Sequence, residues 1–295
     1  MRKSLRWSVA LPAVVLLAAA ATATANASDV VKGSFERTLK VTGPVDLEVT
    51  TGSGDIKVRT GEAGTVEIKA RIQGHYDRDQ EGGNVEERVH YLEQHPPIEQ
   101  DGNHIRIGRM EDRHLSRNIS IDYELTVPAE TQFNGATGSG DLSVDGIRGP
   151  VDAKTGSGDM DFRSISSNVR VRTGSGDAKF ERVSAERVEI ETGSGDTDLR
   201  DMRCALSLKT GSGDIRAQGE PTGEWSLSSG SGEITIHLPS ELAFDLDAHT
   251  SSGGVSTGLP ITLQGTLGRG ELRGKVRGGG VRLELHTGSG DIRVE

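Results

Sequence analysis

Cysteine is nearly absent from this sequence of 295 residues, which contains only one, and aromatic residues make up just 3%. A single cysteine excludes an intramolecular disulfide framework and any metal site built from several cysteines. Proline is sparse, with 9 residues, whereas glycine reaches 40 residues, about twice its usual share. This composition excludes both collagen and a proline-rich linker. Hydrophobic residues contribute 33%, which is low for an enzyme with a thick core.

Basic residues are outnumbered by acidic ones, 34 to 44, which gives a formal net charge of −10. Binding of nucleic acid requires clustered Lys and Arg to neutralise phosphates. We therefore expect no nucleic-acid partner. The sequence also lacks any recognisable catalytic motif.

Residues 1–27 have the pattern of a signal peptide. A segment with three Lys or Arg residues is followed by an apolar run, Val9–Ala21, and by Ala-Asn-Ala at 25–27. We predict cleavage before Ser28. The run is interrupted by Pro12 and is shorter than the ~20 apolar residues that cross a membrane. We expect an exported protein of the periplasm, cell envelope or exterior, with no stable membrane insertion of the mature chain.

An internal repeat dominates the remaining sequence. Thr-Gly-Ser-Gly-Asp begins at seven positions, and degenerate copies begin at Ser229 and Thr250. From Thr137 to Ser229 the steps are 18, 18, 19, 18 and 19 residues. Such a fixed period indicates a repeat architecture. The seven complete copies begin at Thr51, Thr137, Thr155, Thr173, Thr192, Thr210 and Thr287.

Each motif lies between two segments of alternating hydrophobicity. Val151 and Ala153 precede one motif, and Met160 and Phe162 follow it. Period-two alternation is typical of strands with one buried face. The Gly-Ser-Gly between them predicts a tight corner, because glycine adopts backbone angles that other residues avoid.

One unit of 18 residues cannot bury its apolar side chains alone, whereas stacked units bury them continuously. We therefore predict an all-β fold, a parallel β-solenoid of ~18-residue coils that covers residues 28–295 as a single domain. Residues 74–104 interrupt the pattern as an irregular insertion. They include one short helical excursion from Asn84 to Glu93, and residues 258–280 form glycine-rich irregular coils.

These coils, together with the lead-in Ile119–Pro128, resemble a bacterial β-strand-repeat family of unknown function that is often labelled putative adhesin. The resemblance covers roughly residues 35–295. It implies an adhesin-head-like β-helix that is exported to the envelope. The family offers no catalytic residues to transfer to this chain.

The acid that follows each corner is the main candidate for a site. A solenoid would stack these acids at the ~4.8 Å spacing of strands. Calcium binding is one interpretation, but calcium needs about 6–8 oxygen ligands and each coil supplies one carboxylate. We favour a structural turn ladder in which each acid accepts corner N–H bonds. Its members are Asp55, Asp141, Asp159, Asp177, Asp196, Asp214, Glu233 and Asp291.

Other reactive residues form no convincing constellation. The eight histidines are scattered and show no His pair at helical ligand spacing. The repeated serine lies between adjacent glycines, without a repeated base beside it. Cys204 begins a strand and is expected to be a small buried hydrophobe. We therefore predict no catalytic residue, no metal and no cofactor.

The resulting hypothesis is an exported, non-catalytic envelope protein. It would be an adhesin-like binding or scaffold module for an unknown protein or surface polymer. A polysaccharide-active β-helix enzyme is the alternative, although the turns of about six residues are short for building a cleft with paired carboxylates. A calcium-stabilised repeat protein is a second alternative.

Overall fold

A computed structural model describes residues 30–76, 84–110, 112–263, 268 and 270–295. The predicted signal peptide, 1–27, lies outside these described residues. Within them the chain forms 22 β-strands and two α-helices, and all the strands belong to one open sheet. The prediction of an all-β protein is therefore confirmed.

The elements follow one another in long runs of strands. The helices are α1 (Val85–Gln94) and α2 (Arg113–Ser116). The strands are β1 (Val30–Lys40), β2 (Val45–Ser53), β3 (Ile56–Thr60), β4 (Thr65–His75), β5 (Ile98–Asp101), β6 (His104–Ile107), β7 (Ile119–Val127), β8 (Thr131–Ser139), β9 (Leu142–Asp145), β10 (Val151–Ser157), β11 (Met160–Ile165), β12 (Val169–Ser175), β13 (Ala178–Ser194), β14 (Thr197–Ser212), β15 (Ile215–Ser231), β16 (Ile234–His237), β17 (Phe244–Ser252), β18 (Val255–Thr257), β19 (Ile261–Leu263), β20 (Glu271–Val276), β21 (Val281–Ser289) and β22 (Ile292–Val294).

Equivalent strands of successive repeats pair in parallel, as their spacing predicts. Thr155 of β10 lies opposite Thr137 of β8 on one side and opposite Thr173 of β12 on the other. The same alignment continues through β13, β14 and β15. Each corner is therefore stacked directly on the corner of the neighbouring repeat.

Inward positions of the alternating pattern form one continuous core. The residues predicted to face inward from the repeat at Thr155, namely Val151, Ala153, Met160 and Phe162, are all buried. The rings of Phe162 and Phe180 stack with centroids 4.9 Å apart, one repeat from the other. Vertical stacking of equivalent residues thus fills a narrow interior with few aromatic side chains.

Stacking order departs from chain order near the C-terminal end. Strand β21 lies between β15 and β17, so Thr287 is opposite Ser229 on one side and Thr250 on the other. Strand β22 similarly lies between β16 and β18. The repeat at Ser229 therefore pairs with the last repeat rather than with the next one in sequence, which differs from the simple serial prediction.

Antiparallel pairs flank the parallel stack at both ends, which the solenoid prediction did not include. Strand β4 pairs antiparallel with β1 and β7, and β20 pairs antiparallel with β17 and β19. Terminal strands cannot pair with a further repeat, and an added antiparallel strand shields the exposed sheet edge.

Helix α1 occupies the predicted helical excursion within one residue at each end. The Asn84 side chain caps it by accepting a hydrogen bond from the Glu86 N–H. Val85, Val89 and Leu92 are its buried residues. A Cβ atom at Gly74 of β4 would lie 2.6 Å from the Val85 side chain, so glycine permits this close packing. The short helix α2 was not predicted.

Candidate functional site

The predicted row of acids is a ladder of hydrogen bonds between repeats. The Oδ1 atom of each aspartate accepts the main-chain N–H of the residue at the same position in the neighbouring repeat. The sequence analysis predicted that each acid accepts N–H groups of a corner. In the structure, the N–H that each aspartate accepts belongs to the corner of the neighbouring repeat. The pairs, with the acceptor first, are Asp122 and Asp55 (3.0 Å), Asp55 and Asp141 (3.0 Å), Asp141 and Asp159 (2.9 Å), Asp159 and Asp177 (2.9 Å), Asp177 and Asp196 (2.9 Å), Asp196 and Asp214 (2.9 Å), Asp214 and Glu233 (2.9 Å), and Asp291 and Gly254 (2.8 Å).

Close backbone stacking explains both glycines of the motif. A Cβ atom at Gly174 would lie 2.6 Å from the carbonyl oxygen of Gly156 in the adjacent repeat. A Cβ atom at Gly176 would lie 2.1 Å from the carbonyl oxygen of Gly158, and Gly176 also has a positive φ of 133°. Side chains at these positions would therefore separate the repeats.

The threonine of the motif is buried beneath the corner, and its hydroxyl donates a hydrogen bond to a backbone carbonyl. Thr287 Oγ1 donates to the Gly232 carbonyl of the adjacent repeat at 2.9 Å, and Thr155 Oγ1 donates to Gly140 at 3.3 Å. Thr173 instead bonds to the Ser175 carbonyl of its own corner. A buried hydroxyl requires such a partner, which explains the threonine or serine at this position.

The central serines and first glycines form an exposed polar strip along the stack. The Gly158 N–H donates to the Ser175 carbonyl at 3.0 Å, so the serine backbone also accepts a hydrogen bond from the neighbouring repeat. The serine and first-glycine positions of the motif are mostly exposed. Arg216 contacts the ladder from one side, through Asp214 Oδ2 at 2.9 Å and Asp196 Oδ2 at 3.7 Å.

Two ladder members behave differently from the sequence prediction. Asp122 provides the first acceptor, although it follows no glycine corner and was therefore missed. Glu233 donates its N–H to Asp214, but within the described residues its own carboxylate makes no hydrogen bond to the Asp291 N–H. The extra methylene of glutamate places the carboxylate farther from its backbone than that of aspartate.

The described histidines and the cysteine lie in surroundings that differ from one another. His104 Nδ1 lies 2.9 Å from Asp46 Oδ2, and the rings of His249 and His286 stack with centroids 5.4 Å apart. No group of three or more His, Cys, Asp or Glu side chains that could hold a metal occurs in the described part of the chain. Cys204 is fully buried, as predicted, and desolvation raises the pKa of its thiol to about 12.

Comparison with known proteins identifies one sequence family. The profile described as Toastrack DUF4097 matches residues 47–295. No curated protein matches the chain.

The solved structures that match this chain have low sequence identity to it. A putative adhesin from Bacteroides fragilis NCTC 9343 is 14% identical, with 89% of this chain and 97% of that chain covered and a TM-score of 0.46. A putative adhesin from Parabacteroides distasonis ATCC 8503 is 6% identical, with 89% and 97% covered and a TM-score of 0.40. A putative cell adhesion protein from Clostridium sporogenes ATCC 15579 is 12% identical, with 89% and 99% covered and a TM-score of 0.27.

Proposed function

This chain belongs to the Toastrack DUF4097 family, and we propose that it is an exported, non-catalytic envelope protein built as a β-solenoid. Its function would be that of an adhesin-like binding or scaffold module for a protein or surface polymer. The parallel register of β8 to β16, with one repeat per step, supports the solenoid. The single domain would cover residues 28–295.

The observation that carries this proposal is how the repeated polar groups are used. The motif aspartates accept N–H groups of neighbouring repeats, and Thr287 and Ser289 bond to the adjacent repeat through a hydroxyl and a carbonyl. Polar groups that hold the backbone in register are suited to a rigid scaffold. We therefore assign the acid ladder a structural role rather than an ion-binding or acid–base role.

Export is supported by the basic and apolar segments of residues 1–27 and by the Ala-Asn-Ala motif. Among the residues that the structure describes, no helix has the length and apolar character needed to cross a membrane.

The export half of this proposal can be tested by mass spectrometry. The full chain is expressed in a bacterial host, and the fractionated cell envelope, periplasm, cytoplasm and medium are analysed. We expect a mature chain that begins at Ser28 outside the cytoplasm. An intact Met1 on protein recovered from the envelope would contradict this.

Binding and catalysis can be separated in one assay. The purified mature protein is immobilised and exposed to envelope polysaccharides and envelope proteins, and both retention and release of reducing sugar are measured. Retention without sugar release supports a binding module. Turnover-dependent release of reducing sugar would instead support the polysaccharide-active enzyme, since cleavage of each glycosidic bond creates a new reducing end.

A further inference from the structure

A cavity of about 610 Å³ lies beside the first corner of the stack. On one side it borders the corner at Thr50–Ser53. One face of this corner stacks on the glycine corner of β8, and on the other face Thr51 Oγ1 donates to the Ile121 carbonyl of β7 at 3.0 Å. The segment from Gly108 to Met110 and the end of β4 at His75 complete its walls.

The described lining of this cavity differs in charge from the linings of other cavities in this acidic protein. None of the described residues that line it is an aspartate or glutamate. Four other cavities, of 340, 410, 820 and 620 Å³, are each lined by at least one carboxylate. The carboxylates are, for example, Asp152, Asp201, Glu271 and Glu191.

A buried hydroxyl without a partner lies in the cavity wall. Tyr123 is 1% exposed, and its hydroxyl makes no hydrogen bond within the described part of the chain. Burial raises the pKa of Tyr123 above its ordinary value, so the hydroxyl keeps its proton and remains a donor. A buried donor without an acceptor costs free energy, and a bound acceptor would recover it.

Glycine at position 108 keeps the region next to this hydroxyl open. Gly108 has a φ of +83°, and a Cβ atom there would lie 3.2 Å from the Tyr123 hydroxyl and 1.8 Å from the Thr50 carbonyl oxygen. A side chain would therefore clash with the backbone and crowd the hydroxyl.

Both a cation and apolar groups line the same cavity. Arg109 is exposed and forms no ion pair or hydrogen bond through its side chain with any described residue. Met110 is half-buried and packs against the core, and the cavity wall also includes Ile119 and Ile121. Cationic and apolar side chains thus occur together in the described lining of this cavity.

We propose that this cavity binds a small organic anion that joins a carboxylate or phosphate group to an apolar chain. Arg109 and the Tyr123 hydroxyl would donate to the anionic group, because guanidinium and hydroxyl donors to ionised oxygens make strong hydrogen bonds. The apolar chain would pack against Met110 and Ile119. This inference concerns a separate site and does not depend on the proposed scaffold function.

Methyl NMR provides a direct test, since the mature chain contains three methionines: Met110, Met160 and Met202. The protein with 13C-labelled methionine methyl groups is titrated with octanoate and octyl phosphate, and with octylammonium and inorganic phosphate for comparison. We expect the Met110 methyl to shift with either octyl anion, whereas the buried Met160 and Met202 methyls stay in place. Equal shifts with octylammonium, or no Met110 shift at millimolar octanoate, would overturn the proposal.

Three variants assign the contacts. Arg109→Ala and Tyr123→Phe should each weaken octanoate binding about tenfold or more, the loss expected for one strong hydrogen bond. Arg293→Ala, which removes an arginine from β22, is the charge-matched control and should leave binding unchanged. Tyr123→Phe retains the buried ring and loses a hydroxyl that has no partner, so its melting temperature should not fall. Unchanged affinity in both cavity variants would overturn the assignment.

Discussion

The Oδ1 atom of Asp291 accepts a hydrogen bond from the main-chain N–H of Gly254 at 2.8 Å, although Gly254 lies 37 residues earlier in the chain. On the opposite side, the Gly232 N–H donates to the Ser289 carbonyl at 2.8 Å. The last repeat is therefore an inner layer of the stack, and segments from earlier in the sequence pack on both of its faces. Its removal would open the stack in the interior rather than shorten it at an end.

Deletion of residues 281–295 should therefore destabilise more than its own segment. Strand β17 would lose its parallel partner along Phe244–Ser252, and β15 would expose the edge that now pairs with β21. Hydrogen exchange should show loss of amide protection throughout Phe244–Ser252. If those amides stay protected in the truncated protein, the inserted position of the last repeat is wrong.

Much of the central stack could be predicted from local sequence, because the residues of each repeat determine both its buried face and its register with the neighbouring repeats. The alternation at Val151 and Ala153 sets the buried face, and the motif at Thr155 sets the register with Thr137 and Thr173. A one-residue slip would turn every inward side chain outward. The helix at 85–94 was also predictable, because Val85, Val89 and Leu92 have helical spacing.

The rest depends on contacts that are distant in sequence. Period-two alternation identifies the buried face of β4 or β20 but does not tell whether its partner runs parallel or antiparallel. Nothing near Thr250 encodes that Thr287, rather than Ser229, lies opposite it. Asp122 joins the ladder only through its pairing across β7 and β3, and no motif marks it in the sequence.

Glu233→Asp should complete the missing connection of the ladder. A shorter side chain would place its carboxylate near the Asp291 N–H, as Asp214 is placed near the Glu233 N–H at 2.9 Å. We expect a gain of about 1 kcal/mol in the free energy of unfolding, typical of one added hydrogen bond. Urea denaturation measures it, and Glu241→Asp, at an exposed position outside the ladder, is the control with little expected change. A loss of stability in Glu233→Asp would show that glutamate suits this corner better.

Gly176→Ala should disrupt the stack, whereas Gly52→Ala should be tolerated. The added Cβ at Gly176 would lie 2.1 Å from a backbone carbonyl, in a residue with φ of +133°. At Gly52, in the first corner, a Cβ would meet no atom within 4 Å. We expect a loss of several kcal/mol, about 3 or more, for Gly176→Ala, because both backbone strain and a backbone clash contribute. Equal melting temperatures for the two variants would refute the close-stacking explanation.

Cys204 should resist thiol reagents until the protein unfolds. It is fully buried, and burial raises the pKa of its thiol to about 12. The thiolate is the reactive form, so at pH 8 almost no reactive species is present in the folded protein. Iodoacetamide labelling followed by mass spectrometry should show modification only in denaturant. Rapid labelling of the native protein would indicate that β14 opens readily.

Asp177→Asn and Asp177→Ala should separate a structural acid from an ion ligand. Asp177 Oδ1 accepts the Asp196 N–H at 2.9 Å, at a half-buried position. Asparagine retains an oxygen acceptor, so its cost should stay below about 1 kcal/mol, whereas alanine leaves the Asp196 N–H without this partner and should cost about 1–2 kcal/mol. Thermal and urea unfolding measure both values.

Chelation supplies the second half of this test, because the calcium alternative and the structural ladder make opposite predictions. Each Oδ1 that already accepts a backbone N–H has one lone-pair direction less for an ion, and calcium requires about 6–8 oxygen ligands. We therefore expect EDTA to leave the melting temperature of the unaltered protein unchanged, and calcium to leave the cost of Asp177→Ala unchanged. If EDTA lowers the melting temperature and calcium alone restores it, the acids hold ions, and their hydrogen bonds to neighbouring repeats are not what fixes the corners.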